Sequence, residues 1–360
     1  MTDSFLAISS FMIEHIIRQD FVDTFAQWVA TANNIVIIGH INSDGDSIGS
    51  TLGMKHYLDS LDKKAQVIVP NYFPDNLKWM PGAKQIPLFD RQATACKKML
   101  EQADLIICQD LNEPNRMGDI ADVVASLSTH KILIDHHLNP APFADITISH
   151  PKASSASELV FRLIYQSGGL PKLPKLAAEC LYCGMMTDTG SFTYNSNNPQ
   201  LFRIIAELIE KGIDKDQIYR NVYNTCSEGR LRLQGYQLYE KMRIYPEYGA
   251  ALITMTSEEL KRFKCNKGDT EGNVNLPLTM KGIHLSAFLR EDTEQNCIRI
   301  SLRSVGNIPC NKIAKEFFNG GGHFNASGGN VACTLEQATR LFEEALHKFQ
   351  DVLQRVKTGS

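Results

Sequence analysis

Four short apolar runs punctuate the first part of the chain, at residues 35–38, 67–69, 105–107 and 132–134. Each is continuous rather than alternating. A strand with one wet face would carry a polar residue at every second position, so these runs predict strands buried on both faces. The stretches between them place apolar residues three and four apart, as helices do. Residues 6–32 predict a helix on the same ground, through Phe11, Ile13, Ile16, Ile17, Phe21 and Phe25. Strands alternating with helices predict an α/β fold with a doubly wound, mainly parallel sheet.

The grammar changes farther along. Residues 173–210 read as helical, interrupted by a polar loop at 189–199, and residues 213–242 read as helical again. Beyond Arg243, strands are expected at 249–255, 283–290 and 297–303, then a helix from Pro309, a glycine cluster at 320–322, a strand near 329–333 and a terminal helix. A chain of 360 residues is too long for one ordinary core. The expected organisation is therefore a catalytic domain over 1–212, a helical connector over 213–245 and a smaller α/β domain over 246–360.

A formal charge of −3 argues against gripping long nucleic acid through many phosphate contacts, but leaves room for a short anionic ligand met by a few local cations. No apolar run approaches the roughly 20 residues that span a bilayer. The first ten residues contain Asp3 and no basic segment, so they do not read as a secretory signal. Nine scattered cysteines suit free thiols in a reducing cytoplasm better than a disulfide framework. Cys180 and Cys183 read as two packed thiols one helical turn apart, since zinc would want a second ligand pair. The expectation is a cytoplasmic protein with no membrane partner.

Acids and histidines gather at the ends of four elements: His40, Asp44 and Asp46 after the first strand, Asp110 after the third, Asp135-His136-His137 after the fourth, and Asp188 where a helix stops. Taken singly, each has an ordinary explanation as a helix cap, a turn residue or a hydrogen-bonded histidine. In an open α/β sheet, however, the carboxyl ends of the strands converge on one crevice. Converging carboxylates and imidazoles need cations to offset the charge. Oxygen and imidazole donors without thiolates favour Mn²⁺ or Mg²⁺, and two such ions sharing a carboxylate would activate water for in-line attack on phosphorus.

The set His40-x3-Asp44-x-Asp46, Asp110, Asp135-His136-His137 and Asp188-Thr189-Gly190 resembles the DHH phosphoesterase superfamily in content and order. Gly320-Gly321-Gly322-His323, followed by Asn325-Ala326-Ser327-Gly328, is similar to the glycine-rich substrate motif of its DHHA1 domain. The resemblance implies two divalent ions, Mn²⁺ first, with Mg²⁺ or Co²⁺ as alternatives. It places His40, Asp44 and Asp110 on one ion, and Asp46, Asp110, His136 and Asp188 on the other. It sets His137 facing the scissile phosphate, with Asp135 orienting the neighbouring histidine. Ser154, Ser155 and Glu158 match a family segment beside the site, and also read as an ordinary helix cap. Ser43 and Ser47 depart from the proline and alanine usual in the family, and neither is an expected ligand.

In the smaller domain, the resemblance makes Arg303, Gly321, Gly322 and His323, with Arg290, the substrate-binding set. Glycine amides can form an anion nest, and Arg303 can add charge-assisted hydrogen bonds. The glycine motif counts against pyrophosphate as substrate. The chain length leaves no room for the added domains of large RecJ-type nucleases. The expected activity is that of the nanoRNase type: hydrolysis of single-stranded oligonucleotides of two to five nucleotides, or removal of the 3′-phosphate from 3′-phosphoadenosine 5′-phosphate. A cyclic-di-AMP or pApA phosphodiesterase is the nearest alternative. A nucleotide-binding regulator without catalysis is the alternative of another class. Long duplexes are not expected as partners, and the oligomeric state is left open, a homodimer included.

Overall fold

The computed structural model describes residues 12–264, 269–270, 272–322 and 324–358. It divides into two compact units, Met1–Thr225 and Cys226–Ser360.

The first described residues of the first unit do not form the helix expected over 6–32. Residues 12–18 are not helical, and the part of that expectation before residue 12 lies outside the described residues. Ile13 and Ile17 are nonetheless buried in the core. The segment is tied down from outside, since the Gln166 amide accepts from the backbone of Ile16 and Ile17 and donates to the Ile17 carbonyl. Burial at i and i+4 therefore arose without a helix, a pattern that spacing alone does not distinguish. The helix itself, α1, spans Gln19–Thr31.

Five strands follow: β1 (Asn34–Ile38), β2 (Lys64–Ile68), β3 (Leu105–Gln109), β4 (His130–Asp135) and β5 (Ile146–Ser149). All pair in parallel, in the order β2-β1-β3-β4-β5. The last strand escaped sequence reading because it is only four residues long, with alternating burial at the sheet edge. Helices α2 (Gly45–Asp59), α3 (Phe89–Glu101), α4 (Ile120–Ser126), α5 (Ala156–Gln166), α6 (Lys175–Asp188), α7 (Pro199–Glu210) and α8 (Lys215–Tyr223) surround the sheet. Ile35, Ile37, Ile107 and Ile134 pack into one core with residues of α1, α2, α5, α6 and α7. Their strand neighbours Val36, Ile38, Ile106 and Leu133 pack into another with α3 and α4. Both faces are covered, which is why the central stretches of β1, β3 and β4 are continuously apolar, while the edge strand β2 keeps Lys64 and Gln66 exposed; each fully buried aliphatic side chain contributes about 1.5–3 kcal/mol.

The strand order reverses direction between β1 and β3, so their carboxyl ends flank the crevice of an open α/β sheet. The tightest packing beside it joins α2 to α6. A β-carbon on Gly49 would stand 2.6 Å from the Cys180 carbonyl oxygen and 2.9 Å from the Gly184 amide nitrogen. The two backbones are in direct contact there, so position 49 admits no side chain. Cys180 and Cys183 lie buried in α6 as free thiols.

The second unit carries α9 (Glu228–Tyr236), β6 (Met242–Tyr245), β7 (Ala250–Met255), α10 (Ser257–Arg262), β8 (Leu285–Asp292), β9 (Cys297–Ser304), α11 (Cys310–Phe317), β10 (Gly321–Gly322), β11 (Ala326–Val331), α12 (Leu335–Lys348) and α13 (Gln350–Thr358). Its sheet runs β10-β11-β9-β8-β7-β6, antiparallel except for the parallel β7–β8 pair. The segment expected to connect the domains is shared between the units: α8 belongs to the first, while α9 and β6 belong to the second. No helix among the described residues is long and apolar enough to cross a membrane.

The α2–α6 contact makes a stability prediction of definite sign. Gly49→Ala should gain up to about 1 kcal/mol of helix propensity, yet lose about 1–3 kcal/mol to overpacking against the Cys180 carbonyl. A lower midpoint in urea or thermal melts is expected, and an unchanged or raised midpoint would show that the helices are not in backbone contact.

Candidate metal centre

The centre is assembled from chain segments that leave the carboxyl ends of β1, β3 and β4, plus the end of α6. After β1 the chain turns through Asn42 at φ 54°, with the Ser43 hydroxyl donating to the His40 carbonyl at 2.6 Å. Asp44 then caps α2, its Oδ1 accepting from the amides of Asp46 and Ser47 at 3.1 Å each. The capping role anticipated for this aspartate is real. It leaves Oδ2 free of backbone partners and Oδ1 3.8 Å from His40 Nε2.

Asp110 is the hub. It follows β3 in a left-handed conformation, φ 59°, held there by its amide donating to the Ile134 carbonyl at 3.0 Å. Aspartate tolerates this region better than most residues. Its Oδ2 lies 3.2 Å from His40 Nε2, while Oδ1 lies 3.5 Å from His136 Nε2 and 3.7 Å from His137 Nδ1. At 2% exposure the carboxylate is out of reach of bulk water. His136 Nε2 also stands 3.5 Å from Asp188 Oδ2 and 3.9 Å from Asp46 Oδ2. Three overlapping sets of donor atoms therefore meet among the described residues, His40–Asp44–Asp110, Asp46–His136–Asp188 and Asp110–His136–His137, each close enough together to hold an ion.

Asp46 is held by a device that sequence spacing could not reveal. Its two oxygens accept from the first amides of α5, Ala156 at 2.6 Å and Ser157 at 2.9 Å. Those amides have no partner inside their own helix, and the helix dipole favours an anion at that end. The Ser154–Glu158 segment is thus both of the things its sequence suggested. Ser155 caps α5 through the Glu158 amide, Glu158 accepts from the Ser154 amide, and the helix end so fixed carries Asp46. Gly184 completes the cradle, since a β-carbon there would collide with the Ser157 hydroxyl and stand 2.8 Å from Asp46 Oδ1.

The donor set fits divalent metal. His40 Nδ1 lies 2.7 Å from the Ile41 carbonyl oxygen, which can only accept, so Nδ1 carries a proton and Nε2 is the ring atom placed to coordinate a metal. His40 Nε2 and Asp110 Oδ1 are buried without a hydrogen-bond partner. Metal coordination would satisfy both, and six oxygen and imidazole donors without thiolate suit hard-to-borderline ions.

Electrostatics point the same way. Burial on its own would lower the His40 and His136 pKa values, but the carboxylates around each ring prevail and push both up to about 10. Burial pushes Asp46 well above the usual carboxylate range, with Asp110 and Asp188 adding to it. Asp188 is raised to about 6, chiefly by burial. Asp110 moves the other way: burial opposes its ionisation, yet His136 and His40 hold its carboxyl below the usual range. Without metal, protons on the histidines offset the buried negative charge.

His137 is oriented differently from its neighbour. Arg116 Nη1 lies 3.0 Å from His137 Nε2, and a guanidinium only donates. Nε2 must then accept, which puts the ring proton on Nδ1, 2.7 Å from Asp135 Oδ1. Asp135 also accepts from the His137 amide at 3.1 Å. The aspartate that opens this motif thus orients His137, two residues on. Arg116 was not a sequence candidate, because a single arginine in the polar stretch 112–118 carries no motif.

In the second unit, Gly321 and Gly322 form β10, paired with Gly328 and Ser327. Glycine is required at 320 and 322 by close approach, since a β-carbon would meet the Gly328 carbonyl at the first and lie 2.8 Å from the Ala326 carbonyl at the second. Gly321 is exposed with open space beside it. Arg303 pairs across the sheet with Ala326, next to the tip of this hairpin, and is half-buried. Arg290 is not brought to the same place. Arg303 faces Ser286 on β8, so Arg290 sits four residues farther along, roughly 13 Å away. His323 lies outside the described residues.

Residues 34–185 match the DHH family, N-terminal domain, and residues 250–355 match the DHHA1 domain. The chain belongs to the DHH family. This DHH phosphoesterase is 29% identical to the Probable bifunctional oligoribonuclease and PAP phosphatase NrnA of Streptococcus mutans, over 87% of this chain and 94% of that one. It is 55% identical to an exopolyphosphatase-related protein from Bacteroides fragilis of known crystal structure, with a TM-score of 0.91 over 95% of this chain and 99% of that one. RecJ from Thermus thermophilus, crystallised with Mn²⁺, shares the fold at 12% identity, with a TM-score of 0.54 over 94% of this chain and 56% of that one.

Ligands must be deprotonated to bind metal, so the raised histidine pKa values make binding pH-dependent. Both rings stay protonated without metal up to about pH 10, so an ion must displace a proton from each one it binds. Mn²⁺ affinity measured by calorimetry should tighten by about tenfold or more per pH unit between pH 6 and 8, with protons released into the buffer. A pH-independent affinity would mean that these histidines are not ligands.

Proposed function

We propose that this DHH phosphoesterase hydrolyses phosphate esters of very short oligonucleotides to mononucleotides, or of 3′-phosphoadenosine 5′-phosphate to AMP, using two divalent ions, Mn²⁺ foremost. The observation that carries the reading is the meeting of the donor sets His40–Asp44–Asp110 and Asp46–His136–Asp188 around Asp110, whose second oxygen lies 3.5 Å from His136, in a chain whose residues 250–355 match the DHHA1 domain. The relatives named for oligoribonuclease and PAP phosphatase activity support the substrate class.

In this reading His40, Asp44 and Asp110 hold one ion, and Asp46, His136, Asp188 and Asp110 hold the other. Bound divalent ions supply Lewis acidity, a water of lowered pKa and charge neutralisation at phosphorus. The protein does the rest. Asp110, fixed by its backbone bond to Ile134, sets the spacing between the two donor sets. The α5 amides keep the Asp46 carboxylate in one orientation. Asp135 holds the Nδ1 proton of His137, and the ring, whose Nε2 accepts from Arg116, would face the reacting phosphate. In the second unit, Arg303 with the exposed Gly321 and Gly322 forms a phosphate-binding set, and His323 is a further member of it. Work is expected in the cytoplasm on small single-stranded ligands rather than long duplexes.

The direct test assays purified protein with Mn²⁺ on pApA, 3′-phosphoadenosine 5′-phosphate, cyclic-di-AMP and pyrophosphate. Turnover of the first two is expected, and release of phosphate from pyrophosphate alone would sink the nucleotide assignment. Asp110→Asn should lower kcat by more than about a hundredfold on every accepted substrate. Arg303→Ala should raise KM on pApA by about 10–100-fold while changing kcat less, the mark of lost ground-state binding. An unchanged KM would remove Arg303 from the substrate site.

A further inference from the structure

Arg116 is a cation whose place in the structure is not explained by charge pairing. Among the described residues its side chain makes one hydrogen bond, donating from Nη1 to His137 Nε2, and no ion pair with a carboxylate. A guanidinium has five N–H donors, so most of its donor capacity is left for something else. It stands at the rim of the cluster containing Asp110, His136 and His137, where its positive charge lies beside the metal donors.

The position is built rather than accidental. Pro114 opens the short turn Pro114–Met117, which Gly118 closes at φ 56°. The Arg116 carbonyl accepts from the Ile41 amide at 2.7 Å, so the loop carrying His40 holds the Arg116 backbone directly. Asn112 ties the same segment to the loop after His137, donating to the Leu138 carbonyl at 3.0 Å and accepting from the Ala141 amide at 2.7 Å. Arg116 is thereby fixed against both His40 and His137, by backbone bonds that a side-chain substitution leaves intact.

An arginine that serves the metal centre by charge would oppose it, since a bound cation repels a guanidinium. The same arginine is useful if an anion lies over the metals. We infer that Arg116 is a phosphate-binding residue of the first unit, donating to non-bridging oxygens of the phosphate that lies beside His137. A planar fork of donors matches two such oxygens at once, and lysine would match them less well. The ligand class is a phosphate mono- or diester, with inorganic phosphate as its simplest form. The inference deepens the proposed phosphoesterase reading and rests on it for the identity of the natural substrate, but not for the anion site itself.

The test separates the two. Inorganic phosphate is titrated by calorimetry into Mn²⁺-loaded wild type, Arg116→Ala and Arg116→Lys, and Mn²⁺ is titrated into the metal-free form of each. Arg116→Ala is expected to weaken phosphate binding by about 10–100-fold, with Arg116→Lys in between and Mn²⁺ affinity unchanged in both. On pApA, Arg116→Ala should raise KM and lower kcat together, because these contacts lie at the reacting phosphate. Wild-type phosphate affinity in Arg116→Ala would overturn the inference, as would loss of Mn²⁺ binding in that variant or failure of the wild type to bind phosphate. If phosphate binding follows Arg116 while no nucleotide is turned over, the proposed function falls and the anion site stands.

Discussion

The Asp110 carboxylate sits at the carboxyl end of a central strand, 2% exposed, with a histidine Nε2 3.2 Å from one oxygen and a second 3.5 Å from the other. Burying an unpaired carboxylate costs far more than a domain can spare, so positive charge has to reach it from both sides. The surrounding arrangement follows from that demand. His40 must come off β1 and His136 off β4, which only a sheet with β3 between those two strands allows. Protons meet the demand when metal is absent, and divalent ions would meet it better because they would also satisfy Asp44, Asp46 and Asp188.

Holding those outer acids in place consumes local structure. Asp46 lies in a cradle of α5 amides that exists because Ser155 caps α5 and Gly184 leaves room. Asp188 ends α6, which approaches α2 backbone to backbone at Gly49. The glycines here act through absence of a side chain, bringing together the helices that carry the candidate ligands Asp46 and Asp188. Buried like-charged acids destabilise the fold, and the dense α2–α5–α6 packing is what keeps them together.

Much of this was legible in the residues themselves. The strands β1 to β4 announced themselves because a doubly covered sheet leaves few polar positions in their central stretches, and the four acid- and histidine-bearing element ends do converge. What spacing hid was hydrogen-bond direction. Nothing in Asp135-His136-His137 tells which ring the aspartate will hold; the chain turns so that it is His137. Arg116 was invisible because its role comes from a turn and two backbone bonds between distant loops. Residues 12–18 misled for the converse reason, since Ile13 and Ile17 are buried at helical spacing by a side chain, Gln166, that ties down a non-helical segment. In the second unit, close strand approach accounts for Gly320 and Gly322, leaving Gly321 as the glycine with space around it.

The central claim is that Asp110 is shared by two metal ions, one held with His40 and Asp44 and the other with Asp46, His136 and Asp188. Anomalous diffraction at the manganese edge, from crystals grown with Mn²⁺, tests it without reference to any substrate. Two peaks are predicted, one on each side of the Asp110 carboxylate and both within coordinating distance of it, with the second lost or weakened in Asp188→Ala. A single peak, or two peaks that do not share Asp110, would contradict the account.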